Sequence, residues 1–176
     1  MVIEPMKCGT EEFEVHLPEE LIAAELEPNR VELPQRTPAE HIRWALDHPV
    51  DSAPLKELVK AGDKVCIVIS DVTRRWQSPE TYIPVLIAEL ESAGIRDEDM
   101  LIISATGTHR RQTPEEHMGL VTKEVYERIE LVDHVCTDEE NLSYVGTTSR
   151  GTPVWLDKRA LACDKIILTG GVGYHF

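Results

Sequence analysis

The sequence is short of cations: 18 Lys and Arg stand against 32 Asp and Glu, for a formal charge of −14. So acidic a chain repels polyanions and has no basic stripe for phosphate backbones, which excludes nucleic acid and anionic membrane as expected partners. Long apolar runs are missing too. None approaches the roughly 20 residues of a membrane span, and the opening stretch MVIEPMKCGTEEFEV has neither the basic nor the apolar region of a secretory leader. The expected compartment is the cytoplasm. The four cysteines, Cys8, Cys66, Cys136 and Cys163, are widely spaced and form no C-x-x-C pair. That spacing excludes a disulfide framework and a zinc knuckle, and the cysteines read as small buried hydrophobes. No internal repeat and no low-complexity tract is present. At 176 residues the length suits one ordinary structural domain, since domains run to about 100 to 200 residues.

What is present is an alternation of strand and helix patterns. EFEVHL (12–17) alternates as a half-buried edge strand does, and a connection punctuated by Pro28, Pro34 and Pro38 follows. Residues 1–50 are read as this N-terminal edge strand and connecting segment, and residues 51–176 as an α/β body. Thr37, Pro38 and Glu40 predict a capped helix start, as do Thr113, Pro114 and Glu116. Between them, Ser78 and Pro79 open a helix whose Ile83, Leu86, Ile87 and Leu90 recur at i, i+3, i+4, i+7. The runs KVCIVIS (64–70), MLIISA (100–105) and KIILT (165–169) are continuous and apolar, as strands covered on both faces are. LSYVGTTSRGTPVWL reads as a hairpin. The fold class expected is α/β, Rossmann-like and doubly wound, with a mostly parallel sheet and a small β-hairpin.

The unusual polar residues cluster where strands end. SDVTRR leaves the run ending at 70, TGTHRR the run ending at 105, and GGVGYH the run ending at 169. In open α/β sheets ligands bind outside the carboxyl ends of the strands, so Asp71, Thr73, Arg74, His109, Arg110 and His175 are expected to converge on one pocket. Arg74 either pairs with Asp71 or offers its fork to a small carboxylate or phosphate. His109 carries an imidazole, the side chain most often used as a general base. His16, His41, His48 and His117 are assigned to the surface or a helix face, and His134, two residues before Cys136, makes only a weak metal pair. TGGVGYHF does not complete the dinucleotide fingerprint, because the last glycine of G-x-G-x-x-G would fall at Phe176.

Taken together, SDVTRR, TGTHRRQTPEE and YVGTTSRGTPVWLDKRALACDKIILTGGVGYHF resemble the N-terminal half of the nickel-pincer lactate racemase family, from about residue 60 onward. Arg75 departs from the proline common there. The resemblance implies the N-terminal domain of an enzyme that racemises or epimerises a small 2-hydroxyacid. By motif match it makes His109 and His175 the two acid/base histidines acting on the hydroxyl. Arg74 becomes the carboxylate clamp, and Asp71 the group that orients that arginine or a histidine. It implies a nickel pincer cofactor, a pyridinium-3,5-bisthiocarboxylate mononucleotide, that accepts the C2 hydride, with Thr73, Gly171 and Gly173 helping to hold its phosphate. The family's cofactor-bearing lysine, nickel-ligating histidine and C-terminal domain correspond to sequence beyond Phe176, so residues 1–176 alone are expected to be inactive. Without that domain, the expectation is self-association into a homo-oligomer through the uncovered edge, or solubility carried by the −14 charge. The alternative readings are a non-catalytic α/β module binding a small carboxylate or phosphate, and a fragment of a conventional nucleotide-cofactor oxidoreductase.

Overall fold

The structure is a computed structural model that describes every residue except 28, 30 and 173–176. The chain divides into two compact units, Met1–Gln35 and Arg36–Phe176. The first holds an antiparallel hairpin of β1 (Val2–Cys8) and β2 (Glu11–Leu17), turned at Gly9 with φ +64°, the positive φ that two-residue hairpin loops demand. Pairing sets Val2 opposite Leu17 and Met6 opposite Phe13. Most of β2 is exposed rather than half-buried.

The second unit is built on a four-stranded parallel sheet of order β5-β4-β3-β8, from β3 (Val65–Ser70), β4 (Met100–Ala105), β5 (Glu130–Asp133) and β8 (Lys165–Leu168). The chain steps outward from β3 to β5, then returns across β3 to place β8 on the other side, which is the doubly wound order anticipated. Along β3, alternate residues face opposite sides. Val65, Ile67 and Ile69 join Met100 and Ile102 in the core, packed on Ile83, Leu86, Ile87 and Leu90 of α3 (Pro79–Ser92). Leu120 and Val121 of α4 (Pro114–Val121) and Val125 of α5 (Lys123–Arg128) complete that layer. Each fully buried Ile or Leu there stabilises the fold by roughly 1.5–3 kcal/mol.

The other sheet face is thinly covered. Val68, Ile103 and Ile166 share a cavity of about 460 Å³ with Trp155 of the β6–β7 hairpin (Leu142–Thr147, Pro153–Asp157) and with Leu161 of α6 (Lys158–Leu161). Leu168 at its rim is 78% exposed and Ile166 45%, while Cys66 and Ile103 on the same face are buried, so this face is covered over β3 and β4 and left open at β8.

Of the three helix starts read from the sequence, two form their expected caps. Thr37 before α1 (Pro38–Asp47) and Thr113 before α4 form complete capping boxes with Glu40 and Glu116. Ser78 precedes α3 in a left-handed conformation and makes no side-chain cap. Leu55 and Leu58 bound a single turn, α2 (Leu55–Leu58). All four cysteines are free, but only Cys66 is fully buried; Cys8 and Cys136 are exposed. Burial pushes the Cys66 thiol up to about 12, which keeps it protonated and unreactive. Among the described residues no helix is long and apolar enough to cross a membrane.

Candidate functional site at the strand ends

β3 ends at Ser70 and the chain turns at once into a 3₁₀ segment, Val72–Gln77. Asp71 starts that turn by accepting hydrogen bonds at one carboxylate oxygen from the Thr73 N–H (3.2 Å) and hydroxyl (2.6 Å). This is a short-range cap that Asp supplies readily. Its other oxygen faces the next loop.

β4 ends at Ala105, and the following loop turns at Gly107 with φ +60°, closed by His109 N–H on the Thr106 carbonyl at 2.9 Å. The Thr106 hydroxyl donates to the His134 carbonyl and fixes the loop's root. His109 Nδ1 thereby comes to lie 2.5 Å from the second oxygen of Asp71. A carboxylate can only accept, so Nδ1 carries the proton and the neutral ring presents an unprotonated Nε2. Asp71 is 4% exposed, and burial alone would raise its carboxyl; the Thr73 and His109 hydrogen bonds outweigh burial and hold it below the ordinary carboxylate value. The result is an ionised, buried acceptor behind a half-exposed imidazole.

These two loops enclose a cleft of about 330 Å³ lined by Asp71, Thr73, Arg74, Gly107, Thr108 and His109. Arg74 is exposed and pairs with no carboxylate among the described residues, because Thr73 and His109 already occupy Asp71. An unpaired guanidinium beside an oriented imidazole suits a small carboxylate that carries a neighbouring hydroxyl.

The structure therefore brings Asp71, Thr73, Arg74 and His109 together. Arg110 is not free: it forms a two-pronged pair with Glu116 at 2.7 and 2.8 Å, which draws the Glu116 carboxyl down to about 2, with help from the Thr113 backbone. Arg75 lies against Gly119 of α4, where an added Cβ would meet its Nη1 at 3.3 Å. Gly171 is pressed on Gln77, with only 3.0 Å between a built Cβ and Nε2, so the loop after β8 approaches the 72–77 segment. Gly173 and His175 lie outside the described residues.

His117 corrects the surface assignment. It is 9% exposed and its Nε2 stands 2.8 Å from Asp133 Oδ1. His134 contacts Asp157 at 3.4 Å, and among the described residues no three His, Cys, Asp or Glu side chains gather as a metal site. Two polar residues at this edge escaped sequence reading, Gln112 and Asp133. The available signal was position: Asp133 ends a strand as Asp71 follows one, and Gln112 closes the His109 loop.

A family model described as the lactate racemase N-terminal domain matches residues 8–176. Lactate racemase of Lactiplantibacillus plantarum is 31% identical over 137 residues, 78% of this chain and 32% of that protein. Lactate racemase of Thermoanaerobacterium thermosaccharolyticum is 27% identical over 135 residues, 77% of this chain and 31% of that one. The solved apoprotein structure of the Thermoanaerobacterium enzyme superposes with TM-score 0.76 at 26% identity, covering 95% of this chain and 38% of its own. A Thermotoga maritima crystal structure, at TM-score 0.57 and 23% identity, shares the fold. The chain spans about a third of the length of the curated relatives it matches.

Proposed function

The chain belongs to the lactate racemase N-terminal domain family, and on that footing we propose that it is the base-bearing part of a 2-hydroxyacid racemase or epimerase. The observation that carries the reading is the Asp71–His109 pair facing a cleft in which Arg74 is unpaired. Arg74 binds the substrate carboxylate through its fork and so fixes the end of the molecule next to C2. His109 Nε2 takes the hydroxyl proton as the C–O bond becomes a carbonyl. Asp71 holds the ring in the required tautomer and stabilises the imidazolium that forms. His175 is the second histidine, returning a proton for the opposite enantiomer.

The family's cofactor, when bound, supplies the acceptor for the C2 hydride. The described residues suit the organic part of such a group: the cleft is polar, and the exposed backbone at Gly171 offers a donor for a phosphate, although the Thr73 hydroxyl proton is already given to Asp71. The nickel ligand and the attachment lysine we assign to the C-terminal part that the longer relatives have. That part and a small 2-hydroxyacid are the partners of this domain. Self-association of the 176-residue chain is supported by Leu168 and Trp155, 78% and 55% exposed on the thin sheet face, and is read by sedimentation.

The test is interconversion of D- and L-2-hydroxyacids by the whole protein, loaded with cofactor, over a panel that begins with lactate. Turnover of at least one pair is expected. No turnover of any pair overturns the reading in favour of a carboxylate-binding module.

A further inference from the structure

Gln112 closes the His109 loop and spends its whole amide on holding that loop to its neighbours. Its Oε1 accepts the Val72 N–H at 2.7 Å, the residue directly after Asp71. Its Nε2 donates to the Ser104 hydroxyl at 2.7 Å and to Asp133 Oδ1 at 2.8 Å, and its own backbone N–H donates to Asp133 Oδ2 at 2.8 Å. Asp133 is 9% exposed, and its Oδ1 is shared between Gln112 Nε2 and His117 Nε2, which also stands at 2.8 Å. Ser104 is fully buried. The ends of β3, β4 and β5 are thus joined through one side chain, none of whose bonds belongs to regular secondary structure.

This arrangement is more than local packing, because of what it spans. Asp71 and His109 come from different loops, 38 residues apart, and their 2.5 Å contact requires the two loops to keep a fixed separation. The flanking bonds within each loop, Thr73 to Asp71 and His109 to Thr106, set each loop's own shape but not the distance between them. The Val72–Gln112 bond crosses that gap, adjacent to Asp71 on one side and three residues from His109 on the other. Asp133, already ionised because the Gln112 and His117 hydrogen bonds outweigh its burial, anchors the far end of the bridge.

We propose that Gln112, anchored by Asp133 and His117, is a positioning residue that sets the separation of Asp71 and His109 and so keeps the His109 proton on Nδ1. As a contribution to turnover the inference rests on the hydroxyacid racemase reading; as a statement about loop geometry it does not. Gln112→Met keeps nearly the same length and removes all three side-chain bonds.

In the 176-residue chain, two NMR readouts apply: the His109 Nδ1–H resonance, shifted downfield by its bond to Asp71, and hydrogen exchange at the Val72 amide. The expected result of Gln112→Met is loss of the His109 resonance through solvent exchange and Val72 exchange faster by about 10-fold or more, since a bonded amide becomes open. In the loaded whole protein kcat falls about 10- to 100-fold, as misplacement of a catalytic group does, while KM stays within about twofold because Arg74 is untouched. A merely structural role would not produce that split.

A folded Gln112→Met with an unchanged His109 resonance and unchanged Val72 exchange overturns the inference. If the variant does not fold, Val72 decides in the parent protein: a protected amide supports the bridge and an unprotected one overturns it. If the parent whole protein turns over no hydroxyacid, the racemase reading fails while the two NMR measurements still judge the bridge.

Discussion

Asp71→Asn tests the site with the smallest change of shape. The carboxylate is 4% exposed and accepts from three donors, at 2.5 Å from His109 and 2.6 and 3.2 Å from Thr73. Asparagine retains one acceptor, which the Thr73 pair claims, and turns its NH₂ toward His109. Two N–H groups cannot face each other, so the imidazole proton moves to Nε2, the nitrogen that receives the substrate proton in the proposed reaction. The base is then lost by tautomer rather than by displacement. Comparable losses of an orienting carboxylate cost about 10⁴ in kcat, and loss of a general base about 10²- to 10⁴-fold, so a fall of 10³ or more is expected.

Stability changes less. Hydrogen bonds to a charged group contribute roughly 1.5–3 kcal/mol, and the neutral amide is cheaper to bury, so a net loss of about 1–2 kcal/mol at neutral pH is expected. Asp71 is held below its unfolded value, so its contribution is present above the ordinary carboxylate pKa and fades as pH falls through the folded value. The deficit of the Asn variant therefore shrinks in acid. The assays are ¹⁵N NMR of the His109 ring in the isolated chain, kcat in the loaded whole protein, and denaturation at neutral and acid pH. A variant that keeps the proton on Nδ1 and the parent kcat refutes the reasoning.

Arg74→Lys replaces a two-pronged fork by a point charge, so KM for the hydroxyacid should rise about 10-fold or more with a smaller effect on kcat; an unchanged KM removes Arg74 from the carboxylate site. Glu116 has its carboxyl drawn down to about 2 by Arg110 and the Thr113 backbone, so it stabilises the fold above the unfolded carboxylate pKa and loses that contribution as pH falls toward 2. Acid unfolding of Glu116→Gln should lack that part of the pH dependence; superimposable curves would contradict it. Ile67→Ala empties a fully buried position beneath α3 and should cost about 2–5 kcal/mol in chemical denaturation, with a cost under 1 kcal/mol contradicting the core assignment.

Local rules made much of the fold legible. The threonine-proline-glutamate starts at 37–40 and 113–116 became capping boxes because every atom involved lies within four residues. The spacing of Ile83, Leu86, Ile87 and Leu90 identified the buried stripe of α3 for the same reason. β1 was illegible, since Glu4, Pro5 and Lys7 break its alternation and its pairing depends on β2. Strand-end topology was enough to gather Asp71, Thr73, Arg74 and His109 at one cleft. It could not say whom Asp71 would face, because that depends on a contact 38 residues away, and the outcome left Arg74 unpaired. Gln112, Asp133 and His117 were hidden likewise: their bonds link loops and strands 8 to 40 residues apart, and a histidine in a mixed helix pattern reads as surface until its buried carboxylate is seen.

On the proposed reading, His109 is a base for interconverting 2-hydroxyacid enantiomers. The most direct measurement is the rate of D-to-L conversion by the loaded whole protein carrying His109→Ala, against the parent and on the hydroxyacid the parent turns over best. A fall of about 10²- to 10⁴-fold with nickel content unchanged is predicted. Conversion at the parent's rate would contradict the account.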